Sequence, residues 1–501
     1  MLVASSAPKP HLSPKLIVPR HSSDTLIPVR PKSLYRMIPP TERALRKPDR
    51  ARNQGEGRFL ASQTARPFLL VDTRASAHNA AVPPALATRP IEPPNDLTIP
   101  APGSETAKGV LSRALGRLLP ELLGVGQGLA LTPEARADLA VFQALCREVA
   151  RTNPGALPSL LRRTAMGTLV RCLRAPRADA EALARELVGV FLLHLSRASA
   201  LPRAIRQKAP PARLVSTTAG LSIDLPGDTR AISFENGGKI VVERALGPKA
   251  LSLEKLAAAP PGFSQTSDGV TVSRPFFPID GSTALALVDT NPLAMVEAHP
   301  DKEGNTIDLG GKDASEWTGA LSAALDLVRD HLPDLRGEIE LFVQQIVPVG
   351  YHDEKHLSAS YQEAIGTIYM SLHPSLMTMT EAVIHEFSHN KINALFEVDA
   401  VLENAFSPLY TSPVRPDPRP LHGVLLAVHA FLPVARLYER MIEAGHPLAK
   451  APGFSDRFAR VRQINAEGAE VLLEHGKPTR VGKAVLDEIQ RWHDHFARLN
   501  G

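Results

Sequence analysis

The sequence predicts an α+β protein that is mostly helical, and three observations predict it. Residues 105–199, and again those after Leu421, repeat Leu, Ala and Val at three- and four-residue spacing. A block from 201 to 310 breaks into short apolar runs separated by Gly, Pro and Asn. Two further strand-like runs, "GEIELFVQQIVPVG" and "EAIGTIYMSLHP", stand just ahead of a helix that carries His-Glu-x-x-His.

At 501 residues the chain is long enough for two or three sizeable cores. The spacing patterns divide it into 1–96, 97–200, 201–310 and 311–501. The first stretch is rich in Pro and Arg and keeps no period of 2 or 3.6, so it reads as a disordered basic extension, or as codons upstream of a chain whose fold begins near Leu97. It also carries the basicity. Residues 1–100 hold 15 Lys+Arg and 7 Asp+Glu, leaving 42 and 45 in the rest, so the net charge of +5 is not a property of the folded body. With no RNP motif, zinc finger or basic helical stripe, a nucleic-acid partner is not expected.

The helices of 97–200 announce themselves in order. "AKGVLSRALGRLLPELLGVG" spaces its leucines helically, and "TPEARADLAVFQALCREVARTNPG" opens on Thr132-Pro133-Glu134 and closes on Asn153-Pro154-Gly155. "PSLLRRTAMGTLVRCLRAP" and "ADAEALARELVGVFLLHLSRA" continue the layer. Cys146 and Cys172 fall inside these apolar helices without C-x-x-C spacing, so both read as buried and inert, in keeping with a cytoplasmic location. No uninterrupted apolar run of membrane-spanning length is present, the N-terminus has no signal-peptide core, and no membrane partner is expected.

In the next region "RLVSTTAGLSIDL" and "AISFENGGKIVVERA" read as strands, the latter pair joined by an Asn236-Gly237 turn, with "DGVTVSRPFFPID" and "TALALVD" adding more. "DASEWTGALSAALDLVRDHL" is helical, and the two apolar strands follow. The chain is then helical to its end through "RPLHGVLLAVHAFLPVARLYERMIEAG", "GFSDRFARVRQINAEGAEVLLEHG" and "RVGKAVLDEIQRWHDHFARL", a C-terminal bundle.

Within "LMTMTEAVIHEFSHNKINALF", with Thr380 as the expected N-cap, His385 and His389 lie four apart. On a helix such residues face one way, about 6 Å apart, and can converge on one ion with Glu386 beside it. A strand followed by this helix is a zincin-like arrangement. Two imidazoles hold a metal weakly, so a third ligand is expected. His422 and His429, seven apart at the start of the next helix, are the candidates, with His422 preferred. Glu397 and Glu403 are the carboxylate competitors. His373 reads as a strand-end polar residue, and "GYHDEKH", with His352 and His356, as a solvated loop.

Such a ligand set serves two chemistries. With zinc, Glu386 would be general base to a bound water in peptide hydrolysis. With iron(II), three facial ligands leave room for a keto acid and O₂. The distal carboxylate of 2-oxoglutarate would need a guanidinium, and "PVRPDPRP" supplies Arg415 and Arg419 in a Pro-stiffened loop. A purely structural metal in a non-catalytic peptide-binding protein is disfavoured, since such sites are closed by four protein ligands.

"AVIHEFSHNKINAL" followed by "SPVRPDPRPLHGVLLAVHAFLPVARLYERM" resembles the HEXXH-motif peptide-modification proteins encoded beside ribosomally made peptide precursors. Some of these are iron(II)- and 2-oxoglutarate-dependent peptide β-hydroxylases. The resemblance covers residues 97–501 and is most specific from Glu363 to Tyr438. It implies His385 and His389 as iron ligands with a further histidine from the downstream helix, Asp417–Pro420 on the co-substrate side, and a precursor peptide as partner.

Overall fold

A computed structural model describes residues 92–174, 179–294, 298–299, 302–303, 305–412 and 417–499. Of the expected N-terminal extension only residues 92–96 fall within the described residues, and Arg415 lies outside them. The described residues belong to one compact unit.

Five helices form the first layer: α1 (Thr106–Gly124), α2 (Pro133–Thr152), α3 (Ala156–Leu161), α4 (Thr164–Cys172) and α5 (Ala180–Arg197). Local chemistry sets their ends. Thr132 caps α2 by accepting from the Ala135 N–H, with Pro133 at the first helical position where no donor is missed. Asp179 caps α5 through the amides of Glu181 and Ala182. Cys146 and Cys172 are both buried and unpaired as expected, and burial pushes the Cys172 thiol up to about 12 and that of Cys146 higher still.

The β-rich stretch runs β1 (Ile205–Gln207), β2 (Arg213–Ser216), β3 (Leu221–Asp224), β4 (Thr229–Glu235), β5 (Lys239–Arg244), β6 (Lys249–Ser252), the short helix α6 (Leu253–Ala257), β7 (Ser264–Ser267), β8 (Val270–Ser273), β9 (Phe276–Pro278) and β10 (Ala284–Ala286). Its first eight strands fold into two four-stranded sheets, ordered β1-β4-β5-β6 and β2-β3-β8-β7, while β9 and β10 join a separate five-stranded sheet. The β4–β5 hairpin closes through three residues, not the expected Asn236-Gly237 pair: Gly237 and Gly238 adopt φ of 77° and 68°, and the ladder resumes at Glu235 and Lys239. A two-residue-strand hairpin, β11 (Ala298–His299) with β12 (Lys302–Glu303), follows.

α7 (Ala314–His331) starts from a capping box between Asp313 and Glu316. The next segment corrects the sequence reading. "GEIELFVQQIVPVG" is not a single strand, because Pro333–Phe342 forms helix α8 and only Gln345–Tyr351 extends as β13. Pro333 sits at the first position of α8, and Leu335, Ile339 and Phe342, spaced four and three, bury one helical face. β13 then lies parallel to β15 (Thr367–Leu372), with β14 (Ser358–Ala359) antiparallel on the outer side of β15. The sheet order is β14-β15-β13-β10-β9, so β14 forms an edge.

α9 (Leu376–Phe396) carries the motif. Its N-cap is Ser375, accepting from the Thr378 N–H, and not Thr380, which lies a full turn inside and donates to the Leu376 carbonyl. Packed by α10, α7, α1 and β15, the helix is buried on most of its circumference, which explains why apolar residues surround it. After a small ladder of β16 (Leu409–Tyr410) with β17 (Arg419–Pro420) come α10 (Leu421–Glu443), α11 (Phe454–His475) and α12 (Arg480–Arg498). α10 is long and apolar enough to cross a bilayer, but 72% of its most apolar stretch is packed inside the fold. One hydrophobic core runs from Leu97 to Phe496, with helices from both ends of the chain in it.

Candidate metal centre

The four-residue spacing on α9 brings His385 and His389 together, Nε2 to Nε2, at 2.9 Å. With Glu386 they form a cluster whose ligand atoms all lie within 4.8 Å of one another. The two rings meet edge to face, 4.5 Å between centroids, and each keeps some accessible surface, whereas Glu386 is buried at 2% exposure. An N···N separation of 2.9 Å allows one neutral ring to donate to the other. Two neutral ring nitrogens this close on one helix face could also serve as adjacent ligands of one ion.

Electrostatics favour lone pairs over protons here. Burial, then the nearby His389, Arg457 and His356, hold His385 well below its usual range. Burial, then His422, brings His389 down to about 4. Both are therefore neutral at neutral pH, the form a metal requires.

Around the pair, α9 and α10 run side by side. Phe431 of α10 stacks its edge on His385 at 4.7 Å. Glu386 Oε1 accepts from Ser358 Oγ at 2.7 Å, and Ser360 Oγ donates to the Glu386 carbonyl at 3.2 Å, so the edge strand β14 and the residue after it are fastened across the motif. Asn390 is tied to Ser360 and to the Gly366 amide, fixing the helix against the same sheet.

Neither expected third histidine enters the cluster in this structure. His422 lies between Phe396 and Phe406, 4.6 and 5.1 Å from their centroids, and burial lowers it to about 4. His429 is fully buried: its Nδ1 is 3.1 Å from Thr98 Oγ1 and its Nε2 has no hydrogen-bond partner. Both are felt electrostatically at or from His389. The competing carboxylates are engaged elsewhere. Glu397 pairs with Arg171 and Arg174 at 3.6 and 3.1 Å, and Glu403 is exposed. Arg419 pairs with Asp417 at 2.9 Å and packs over Gly423.

Three participants escape sequence reasoning. His356 is not simply part of a solvated loop: Asp353, Glu354 and Lys355 are exposed, but His356 Nε2 is buried without a partner, and burial pushes the ring down to about 4. Its only sequence signal is its place two residues before Ser358. Arg457 of α11 grips Glu381, one turn ahead of His385, with Nε 3.0 Å from Oε2. Beneath the site, Lys391 is wholly buried and donates to Glu338 Oε2 at 2.6 Å. His373 behaves as a strand-end polar group, its Nδ1 accepting from the Ser375 N–H.

The sequence matches no protein-family model and no curated protein.

Proposed function

We propose that this chain is an iron(II)- and 2-oxoglutarate-dependent hydroxylase acting on a side-chain Cβ of a ribosomally synthesised precursor peptide in the cytoplasm. The observation that carries the reading is the His385–His389 pair, with ring nitrogens 2.9 Å apart on one helix face beside Glu386 and still partly open to solvent. Those two residues would hold the ion, and His422, which packs on Phe396 of the same helix α9, would be the third ligand, with His429 the alternative. When bound, the iron supplies oxidation of an unactivated C–H bond by O₂, coupled to conversion of 2-oxoglutarate to succinate and CO₂. Phe431 provides an apolar wall beside His385 that keeps water from the reacting carbon. The edge strand β14, fastened over the motif by Ser358, offers backbone groups along which an extended peptide adds as a further strand. Arg419 receives the distal carboxylate of the co-substrate. Its present partner Asp417 is half exposed, and so exposed an ion pair is worth about 0–1 kcal/mol, so exchange is cheap. Arg415 is the second guanidinium of that loop.

The test loads the protein with iron(II) without air, adds 2-oxoglutarate, looks for a visible absorption band, and measures succinate after air is admitted. Arg419→Ala is expected to raise the 2-oxoglutarate concentration for half-saturation about 10- to 100-fold. A protein that binds zinc alone and makes no succinate would overturn the reading.

A second reading, zinc-dependent peptide hydrolysis, is favoured by one feature: the Glu386 carboxylate is buried and held by Ser358 at 2.7 Å, as a general base must be. Glu386→Gln separates the two. Hydroxylation is expected to survive within about tenfold, whereas hydrolysis would fall by about 10²–10⁴. Loss of peptide cleavage with metal retained decides for the peptidase.

A further inference from the structure

Between α3, α4 and α5 lies a group of cations that no carboxylate meets. Arg162 and Arg163 make the turn from α3 to α4, and His194 and Arg197 stand three residues apart on one face of the last turn of α5, which packs on α4. Arg163, already penalised by burial, is repelled by Arg162 and Arg197, and His194 by Arg163 and Arg197, so these side chains gather in one place. No described carboxylate acts on Arg163 or His194. Elsewhere on the same helices and just beyond them cations are paired, Arg171 and Arg174 with Glu397 and Arg185 with Glu181.

The charge of this group is unbalanced. Arg163 is half-buried, and its Nε is shut off from water with no acceptor. Among the described residues neither Arg163 nor Arg197 has a side-chain hydrogen bond or ion pair, and Arg162 gives only its Nη2, to the Leu341 carbonyl at 2.8 Å. His194 and Arg197 suit the negative end of α5, but Arg163 is the N-cap residue of the nine-residue α4, whose positive end repels a cation. Its side chain caps nothing. Gln344 holds this turn in place, its Oε1 accepting from the Thr164 amide at 3.4 Å and its Nε2 donating to the Arg162 carbonyl. A fixed, half-buried cation at a helix's positive end, beside a second unpaired cation, is accounted for by an anion between them.

We propose that this cluster binds a phosphate group of a small soluble molecule between the start of α4 and the end of α5. A single guanidinium fork fills a carboxylate, whereas a phosphate brings about −1.5 to −2 charges and three acceptor oxygens, enough for the forks of Arg163 and Arg197 together. Burial, then Arg163 and Arg197, bring His194 down to about 4, so its ring is neutral at neutral pH and donates an N–H without adding to the repulsion. Arg162 and Arg197 are exposed and Arg163 is not, so the phosphate enters from solvent and settles on the half-buried guanidinium. The cluster shares no residue with the metal centre, and neither reading of the chemistry there bears on it.

Full-length protein without added metal is titrated by calorimetry with pyrophosphate, inorganic phosphate and acetate at one ionic strength, and is mixed with phosphatidylglycerol vesicles. Expected are saturable heats with pyrophosphate and phosphate, none with acetate, no retention on the vesicles, and pyrophosphate affinity weakened by about tenfold or more in Arg163→Gln and in Arg197→Gln. Arg197 is exposed, so its variant tests the site even where Arg163→Gln fails to fold. His389→Ala should bind pyrophosphate as the parent does, which separates this cluster from the metal centre. No heat with either phosphate, an equal heat with acetate, retention on the vesicles, an unchanged affinity in folded Arg197→Gln, or loss of binding in His389→Ala would overturn the site.

Discussion

Replacing His389 by alanine is expected to abolish metal binding while leaving the fold intact. The ring keeps some accessible surface, its Nε2 is directed at His385, and its Nδ1 makes no hydrogen bond that the fold would lose. The ion would be left with one imidazole from the helix, and since loss of an outer-shell partner alone costs 10- to 100-fold in affinity, loss of a direct ligand should cost more than about 100-fold. His385→Ala should behave alike, and His422→Ala and His429→Ala then rank the third ligand. Metal content after dialysis, read by mass spectrometry beside a thermal unfolding curve, checks the series. If His389→Ala and His385→Ala both retained one equivalent of iron, the centre would lie elsewhere.

The second large effect concerns stability. Lys391→Ala is expected to destabilise the protein by about 3–5 kcal/mol, because it strands Glu338 in the interior opposite an apolar side chain. Burial already raises the Glu338 carboxyl, and the Lys391 charge 2.6 Å away is what opposes that rise. Replacing both, Lys391→Met with Glu338→Leu, should recover most of the loss, since a well-packed apolar pair does not carry the desolvation cost. Urea unfolding of the single and double variants measures it. A single variant as stable as the parent would show that the pair is not what secures α9 from below.

Much of the fold is legible in local spacing. The leucine periods of α1 to α5, the Thr132-Pro133 start of α2 and the helices after Pro420 depend on neighbours in sequence, and they appear where the pattern places them. The errors have local causes too. In "GEIELFVQQIVPVG" an apolar run hid a helical period that Pro333, four residues upstream, begins, and Thr380 looked like a cap because Ser375 precedes a weakly polar first turn. The candidate site is legible only as far as one helix reaches. His385, Glu386 and His389 are brought together by the α-helix alone. The burial of His356, the Ser358 hydroxyl on Glu386 and the Lys391–Glu338 pair arise from strand pairing and helix packing across 28 to 53 residues or more, which no spacing rule encodes. For the same reason spacing alone does not rank His422 and His429, two turns apart on α10: His422 packs on Phe396 of α9, and His429 is fully buried.

The buried contacts around Thr98 tie the two ends of the described chain together. Its amide is held by Glu488 from the last helix, its hydroxyl meets His429, and its carbonyl lies 3.5 Å from Lys391 Nζ. The floor under the ligand helix is thus closed by residues from the start and the finish of the folded body. Truncation of the last helix before Glu488 would remove the carboxylate that receives that amide and leave the Thr98 N–H unpaired in the interior beside Lys391 and His429.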